Sequence, residues 1–350
     1  MSNSLPSTPI TRLAAFTDIH FGKRNNSHIH NQDCLDFLDF FCEQVEKDGN
    51  ISHIAFLGDW FENRSAINIS TLEYSYQGLQ KLNALGIPIF FIVGNHDLHR
   101  RTTRDVHSVN IFNEFDNIIV VDEPIVYDDC LFCPFMFEDE YPGLVQYDNL
   151  DYWFGHFEFK GFRLTGYNRL MEHGPDHAAF AGPKRIFSGH FHCRQENKNT
   201  TYIGNTFPMD FSDSLDDERG MMILDRESDE YHFIDWEQCP SYNKPMLSQL
   251  IAKQVLLRDK MRLQVTKDVD LSYSEVQVLR ESLIENHGLR ELTLINMESE
   301  VLDEDEDGEE LDMTSMSTED VVVESIATME ATTSMKPDKL VKIFTNIRPK

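Results

Sequence analysis

Residues 88–97 read Pro88-Ile-Phe-Phe-Ile-Val-Gly-Asn-His-Asp97, five large apolar side chains followed without a spacer by glycine and three polar groups. An apolar run of that length, closed by glycine, reads as a strand buried on both faces, with its polar cluster just past the carboxyl end. The pattern recurs four times. Leu13-Ala-Ala-Phe16 precedes Thr17-Asp18-Ile19-His20, and Ile54-Ala-Phe-Leu57 precedes Gly58-Asp59. Tyr152-Trp-Phe154 runs into Gly155-His156, and Arg185-Ile-Phe-Ser188 into Gly189-His190-Phe191-His192. In an α/β sheet the positions beyond the carboxyl ends of strands gather along one edge, where ligands bind. The five clusters are therefore expected to converge.

Helical patterns separate the first three runs: Cys34/Leu35/Leu38/Phe41/Cys42/Val45, and Leu72–Leu85 closed by Gly86. A strand, helix, strand, helix, strand order predicts an α/β layer on a largely parallel sheet. From about 118 to 236 strand-like runs dominate, which predicts a second sheet. Beyond Pro240 and Pro245, Met261–Thr266, a helix near Ser274–Glu285 and Glu291–Ile295 form a small β-α-β unit. The reading divides the chain into 1–240, 241–297, an acidic flexible linker at 298–316, and a segment at 317–350 with helix-like apolar spacing.

With 350 residues and 41% hydrophobic content the chain can bury a large core, which excludes a disordered protein and a disulfide-stapled miniature. No apolar run approaches the length needed to cross a bilayer, and the amino terminus lacks a signal-peptide pattern, so a cytoplasmic protein without a membrane role is expected. The six cysteines form no regular framework, consistent with a reducing compartment, and Cys130-x-x-Cys133 reads as buried strand cysteines. A net charge of −29 taken alone argues against nucleic-acid binding. The charge is unevenly spread, however, since residues 291–334 hold fifteen acids and no Lys or Arg, which leaves the rest of the chain far less acidic.

Carboxylate, imidazole and amide donors together suit Mn²⁺ or Fe, whereas a structural zinc site would want more thiolates. Asp59 is placed to bridge two ions. Two divalent ions, set against two aspartates and a bridging hydroxide, leave about one positive charge to meet a phosphodiester, and such a pair activates a shared water for in-line attack. His96, with Asp97 as its orienting group, is the candidate for delivering a proton to the departing oxygen. His28, His30, His53, His107, His232 and His287 lie outside the clusters and read as structural.

The ordered set Asp18-x-His20, Gly58-Asp59, Gly94-Asn95-His96-Asp97, Gly155-His156 and Gly189-His190-x-His192 resembles the calcineurin-like metallophosphoesterases. Within them Gly58-Asp-Trp-Phe61, Ser188-Gly-His-Phe-His192, Tyr202-Ile-Gly-Asn205 and Glu218-Arg-Gly220 are similar to the SbcD-type DNA repair and recombination nucleases, above all those of T-even bacteriophages. The resemblance covers residues 10–297, and the rest more loosely. It implies a four-layer α/β/β/α sandwich over 1–240, a small β-α-β capping domain that contacts DNA, and a helical C-terminal tail. It implies one ion on Asp18, His20, Asp59 and His192 and a second on Asp59, Asn95, His156 and His190, with His96 and Asp97 assisting catalysis. The ions would be Mn²⁺, with Mg²⁺ or Fe as alternatives.

By the same resemblance the partners are DNA and an SbcC-type coiled-coil ATPase held by the C-terminal helices, with a homodimer inside a heterotetramer. The activity implied is double-strand exonuclease and single-strand endonuclease cleavage, in a host bacterial cytoplasm if the chain is viral. Two departures stand out: the density of the acidic linker, and Asn205, where Ser or Thr is frequent. No Gly-x-x-x-x-Gly-Lys-Ser/Thr occurs, so any ATP dependence belongs to another subunit. The alternative is a metallophosphoesterase acting on a small phosphodiester or nucleotide. A scaffold that has lost its chemistry would be expected to lose ligands, and none of the seven positions is lost. Ten cations near the clusters, Lys23, Arg24, Arg64, Arg100, Arg101, Arg104, Arg163, Lys184, Arg185 and Arg194, are expected to form a positive rim for a DNA backbone.

Overall fold

Alternation inside the apolar runs decides how the layers stack, because successive side chains of a strand point to opposite faces. In β1 (Arg12–Phe16) Ala14 and Phe16 enter one core while Leu13 and Ala15 enter another. The same division holds in β2 (His53–Phe56), and in β3 (Ile89–Ile92) it sends Ile89 and Phe91 one way and Phe90 and Ile92 the other. The structure, a computed structural model, describes residues 5–164, 169–269, 271 and 273–296. The expectations for the linker and the C-terminal helices fall outside these residues.

The first core lies under two helices. Helix α1 (His28–Asp48) starts at Ser27, whose side chain accepts from the His30 amide, and ends at Gly49 with positive φ. Its Cys34, Leu38, Phe41 and Val45, three or four apart, face the sheet. Helix α2 (Ile69–Ala84) is capped by Asn68, and the buried Trp60 indole donates to its Ser75 at 2.7 Å.

After the hairpin β4 (Leu98–Arg100) and β5 (Thr103–His107), β6 (Ile118–Val121) extends the parallel set. The chain then builds a second sheet from β7 (Ile125–Tyr127), β8 (Cys130–Cys133), β9 (Tyr152–Gly155), β10 (Arg185–Ser188), β11 (Gln195–Asn197) and β12 (Thr200–Tyr202), in the order β11-β12-β10-β9-β8-β7. It returns to the first sheet through β13 (Gly220–Asp225) and β14 (Glu230–Asp235), giving β14-β13-β1-β2-β3-β6. Between the sheets Phe90 stacks on Phe132 with centroids 3.8 Å apart, and Phe132 stacks on Phe154 at 5.2 Å. The far face of the second sheet packs Trp153, Phe157 and Phe180 beneath loops and short 3₁₀ turns at Tyr141–Tyr147 and His177–Ala179. The architecture is thus the expected layered α/β sandwich, with 3₁₀ turns forming the outermost layer over the second sheet.

A third, three-stranded sheet follows, from β15 (Ser241–Asn243), β16 (Met261–Lys267) and β17 (Glu291–Asn296), with α3 (Leu247–Ile251) and α4 (Tyr273–His287). It has its own core around Leu247, Leu263, Val265 and Leu292. Arg290 pairs with the buried Asp33, and Lys260 with Asp36 at 2.8 Å, tying it to α1 within one unit that runs to Ile295. All six cysteines are free; burial pushes the Cys130 thiol up to about 12 and Cys133 higher still, as expected for inert strand cysteines. Among the described residues no helix is long and apolar enough to cross a membrane.

The Phe90/Phe132/Phe154 stack lies within the core between the two sheets, with Phe90 on the first sheet and Phe132 and Phe154 on the second. Phe154→Ala should lower the unfolding free energy in urea by about 3–5 kcal/mol, whereas Val126→Ala, at a half-exposed position of β7, should change it by less than about 0.5 kcal/mol. Equal losses would mean that Phe154 does not contribute to the core between the sheets.

Candidate metal centre

The loops beyond β1 and β2 run side by side, with the Asp18 amide on the Gly58 carbonyl at 2.9 Å, His20 on Asp59 at 3.2 Å and Phe21 on Trp60 at 2.8 Å. Side chains aim at the sheet edge only because the backbone bends sharply there: Asp18, His20, Asp59 and His190 all have φ between +51° and +90°. Positive φ costs a non-glycine residue free energy and clusters at functional sites. Two glycines let the loops nest. A Cβ on Gly94 would come within 2.2 Å of Asp59 Oδ1, and one on Gly189 within 2.1 Å of Thr17 Oγ1 and 2.9 Å of Asp18 Oδ2.

What these turns bring together is the expected set of seven. Asp18, His20 and His192 offer ligand atoms within 4.8 Å of one another, and so do Asp59, His156 and His190. Asp59 Oδ2 stands between the groups, 3.8 Å from His20 Nε2 and 3.3 Å from His156 Nε2. Asn95 Oδ1 closes the second group, 2.8 Å from His156 Nε2 and 3.0 Å from His190 Nδ1. A divalent cation fits this donor set: it mixes oxygen and nitrogen, and the buried His20 Nε2 has no hydrogen-bond partner among the described residues.

Three imidazoles set their outward nitrogen against a carbonyl or carboxylate oxygen, which leaves the other nitrogen facing inward. His20 Nδ1 faces Glu62 Oε2 at 2.8 Å, His156 Nδ1 faces the Leu57 carbonyl at 2.7 Å, and His190 Nε2 faces Glu158 Oε2 at 3.1 Å. Sequence reasoning missed Glu62 and Glu158. Their signal was position alone, three residues after Asp59 and two after His156.

Electrostatics follow from this packing. Burial would lower His20, but Glu62, Asp18 and Asp59 around it raise it to about 10; Asp59 likewise overcomes burial at His156 and raises it to about 9. Burial would raise Asp18 and Asp59, yet the surrounding imidazoles hold both below the usual carboxylate range. The field that charges these imidazoles is the field that favours a divalent cation. Burial, reinforced by His20, lowers His192 to about 3.

His96 lies beside the first group, its ring edge-on to His20 at 4.9 Å, and burial lowers its pKa. Asp97 is engaged with the backbone. Its carboxylate accepts from four backbone amides, those of Asp59, Trp60, Phe61 and Gly94, at 3.0–3.1 Å. The His96 ring is oriented instead by the Glu62 carbonyl, 2.9 Å from Nδ1. Asp97 is spent on the backbone because those amides turn inward around the strained Asp59 and would otherwise be buried unpaired.

The expected positive rim is largely neutralised. Arg104 pairs with Glu140, Lys184 with Asp151, Arg194 with Asp235, Arg24 with Glu291, Lys23 with Glu62 and Asp210, and Arg185 with Asp229. His30, read as structural, is buried and reaches the His20 carbonyl at 2.9 Å.

A family model described as calcineurin-like phosphoesterase matches residues 11–194, more than half of the chain. Exonuclease subunit 1 of Enterobacteria phage T4 is 29% identical over 225 residues, covering 62% of this chain and 65% of that protein, just under two thirds of its length. Among solved structures, a nuclease MPE of Pseudomonas putida aligns with TM-score 0.28 at 17% identity over 52% of this chain and 62% of its own. A purple acid phosphatase from yellow lupin seeds gives 0.38 at 13% over 59% and 42%, and a dimetal phosphatase from Danio rerio 0.37 at 9% over 62% and 92%.

If Glu62 and Glu158 orient the imidazoles, removing either should loosen a metal without touching a ligand. Glu62→Ala and Glu158→Ala should each weaken Mn²⁺ binding about 10–100-fold by titration calorimetry. Unchanged affinity in both variants would remove them from the site.

Proposed function

The chain belongs to the calcineurin-like phosphoesterase family, and on that premise we propose that it is a metal-dependent DNA nuclease subunit, a phosphodiester hydrolase of DNA recombination, repair and replication. The observation that supports this reading is the position of Asp59, whose Oδ2 lies between the two donor groups, 3.8 Å from His20 Nε2 and 3.3 Å from His156 Nε2. Asp18, His20, Asp59 and His192 would hold one divalent ion, and Asp59, Asn95, His156 and His190 the other. Oxygen and imidazole donors without thiolate make Mn²⁺ the ion of choice, with Mg²⁺ or Fe as alternatives. When bound, the pair supplies a water of lowered pKa and offsets charge on the phosphoryl oxygens.

The chain's own proton work falls to His96. With Nδ1 held by the Glu62 carbonyl, Nε2 is the nitrogen left to deliver a proton to the departing oxygen. Asp97 acts one step back, holding the backbone amides of Asp59 and of Gly94, which precedes Asn95. The T4 relative's name, an exonuclease subunit, supports a DNA substrate and a partner subunit for this chain as well. The partner proposed is an SbcC-type coiled-coil ATPase, held by residues 317–350 in a heterotetramer built on a homodimer of this chain, in the cytoplasm. Residues 241–297 are proposed as the capping domain that meets DNA.

The test is digestion of end-labelled linear duplex DNA with Mn²⁺. Cleavage should vanish in Asp59→Ala and fall roughly 10²–10⁴-fold in His96→Ala, which should still bind Mn²⁺. Full activity of His96→Ala would defeat its role. Turnover of bis-p-nitrophenyl phosphate with DNA left intact would favour the small-substrate reading instead.

A further inference from the structure

Arg219 is fully buried, and nothing in the chemistry above uses it. Its guanidinium donates twice to Asp216, at 2.6 and 2.8 Å, and its Nε donates to Asn205 Oδ1 at 2.6 Å. Burying such a charge is costly and requires this kind of bidentate, fully directed pairing. Asn205 is fully buried too. Its backbone N–H donates to the His192 carbonyl at 3.1 Å. Gly204 before it sits at φ +78°, so close that a Cβ would come within 3.0 Å of that same carbonyl. Ile203 donates to the Ser188 carbonyl at 3.0 Å. Residues 203–205 thus clasp the Gly189-His190-Phe191-His192 loop at both of its ends, and the guanidinium anchors the clasp.

His190 has independent anchors in the same loop: its amide rests on Asp18 Oδ2 at 3.1 Å and its ring on Glu158 and Asn95. The clasp therefore acts on His192. We propose that Arg219, working through Asn205, is a positioning residue that sets His192 against Asp18 and His20, and so governs one ion of the pair selectively. This rests on the two-ion reading above, with the assignment of donors to each ion made there.

The experiment counts Mn²⁺ on full-length protein by titration calorimetry and electron paramagnetic resonance, with melting followed by circular dichroism. Wild type should bind two ions and show a spin-coupled pair. Asn205→Ala, which leaves the Arg219–Asp216 pair in place, should bind one ion at wild-type affinity and the other at least tenfold more weakly, with a mononuclear signal replacing the coupled one. Asn205→Asp, which keeps the acceptor for Arg219 and the backbone bond, should restore the wild-type pattern. Arg219→Lys should behave like Asn205→Ala; if it does not melt cooperatively, the two Asn205 variants decide. Two ions bound at wild-type affinity in Asn205→Ala, or parallel loss of both, would overturn the proposal. Failure of the wild type to bind a pair would overturn the two-ion reading itself.

Discussion

Four backbone amides point at one carboxylate, and the site is built around that convergence. Asp97 sits just past β3 with no exposed surface, and it ties the loop after β2, through Asp59, Trp60 and Phe61, to the loop after β3, through Gly94. Burial, followed by the charge of Asp59, pushes its carboxyl up to about 7, while the amides need it as an acceptor. Without that knot the positive-φ turn at Asp59 would relax, and the carboxylate between the two donor groups would lose its bearing. The second sheet then has a fixed edge to meet: His156 leans on the Leu57 carbonyl and His190 on Asp18.

Charge makes the same arrangement expensive to leave without cations. Asp18 and Asp59 are buried together, and Glu62 and Glu158 stand behind the imidazoles. Each carboxylate is tolerated because an imidazole or a backbone amide faces it, and the inward nitrogens remain directed at the common centre. This division between inward ligand and outward anchor is how a protein fixes both the tautomer and the orientation of a metal-binding histidine.

Much of this was legible in the chain. The strands carrying the five clusters are buried on both faces, so their apolar runs are nearly unbroken and stand out against the helices. The small hairpin at Leu98–His107 did not stand out, because its exposed Arg and Thr residues carry no alternation to read. The convergence of seven donors followed from strand ends meeting where the carboxyl edges of the two facing sheets come together. The direction of a side chain did not: Asp97 follows His96 directly, and only the folded backbone shows its carboxylate turned toward the amides of Asp59, Trp60 and Phe61. Nor did sequence proximity reveal that the cations near the motifs are engaged. With 60 acids against 31 bases, most such cations find a carboxylate of their own.

Whether one aspartate is shared by two cation sites is decided by anomalous scattering from crystals grown with Mn²⁺. Two peaks should flank the Asp59 carboxylate, one against Asp18, His20 and His192, the other against Asn95, His156 and His190. Peaks elsewhere, or a single peak that leaves Asp59 uncoordinated, would contradict that sharing.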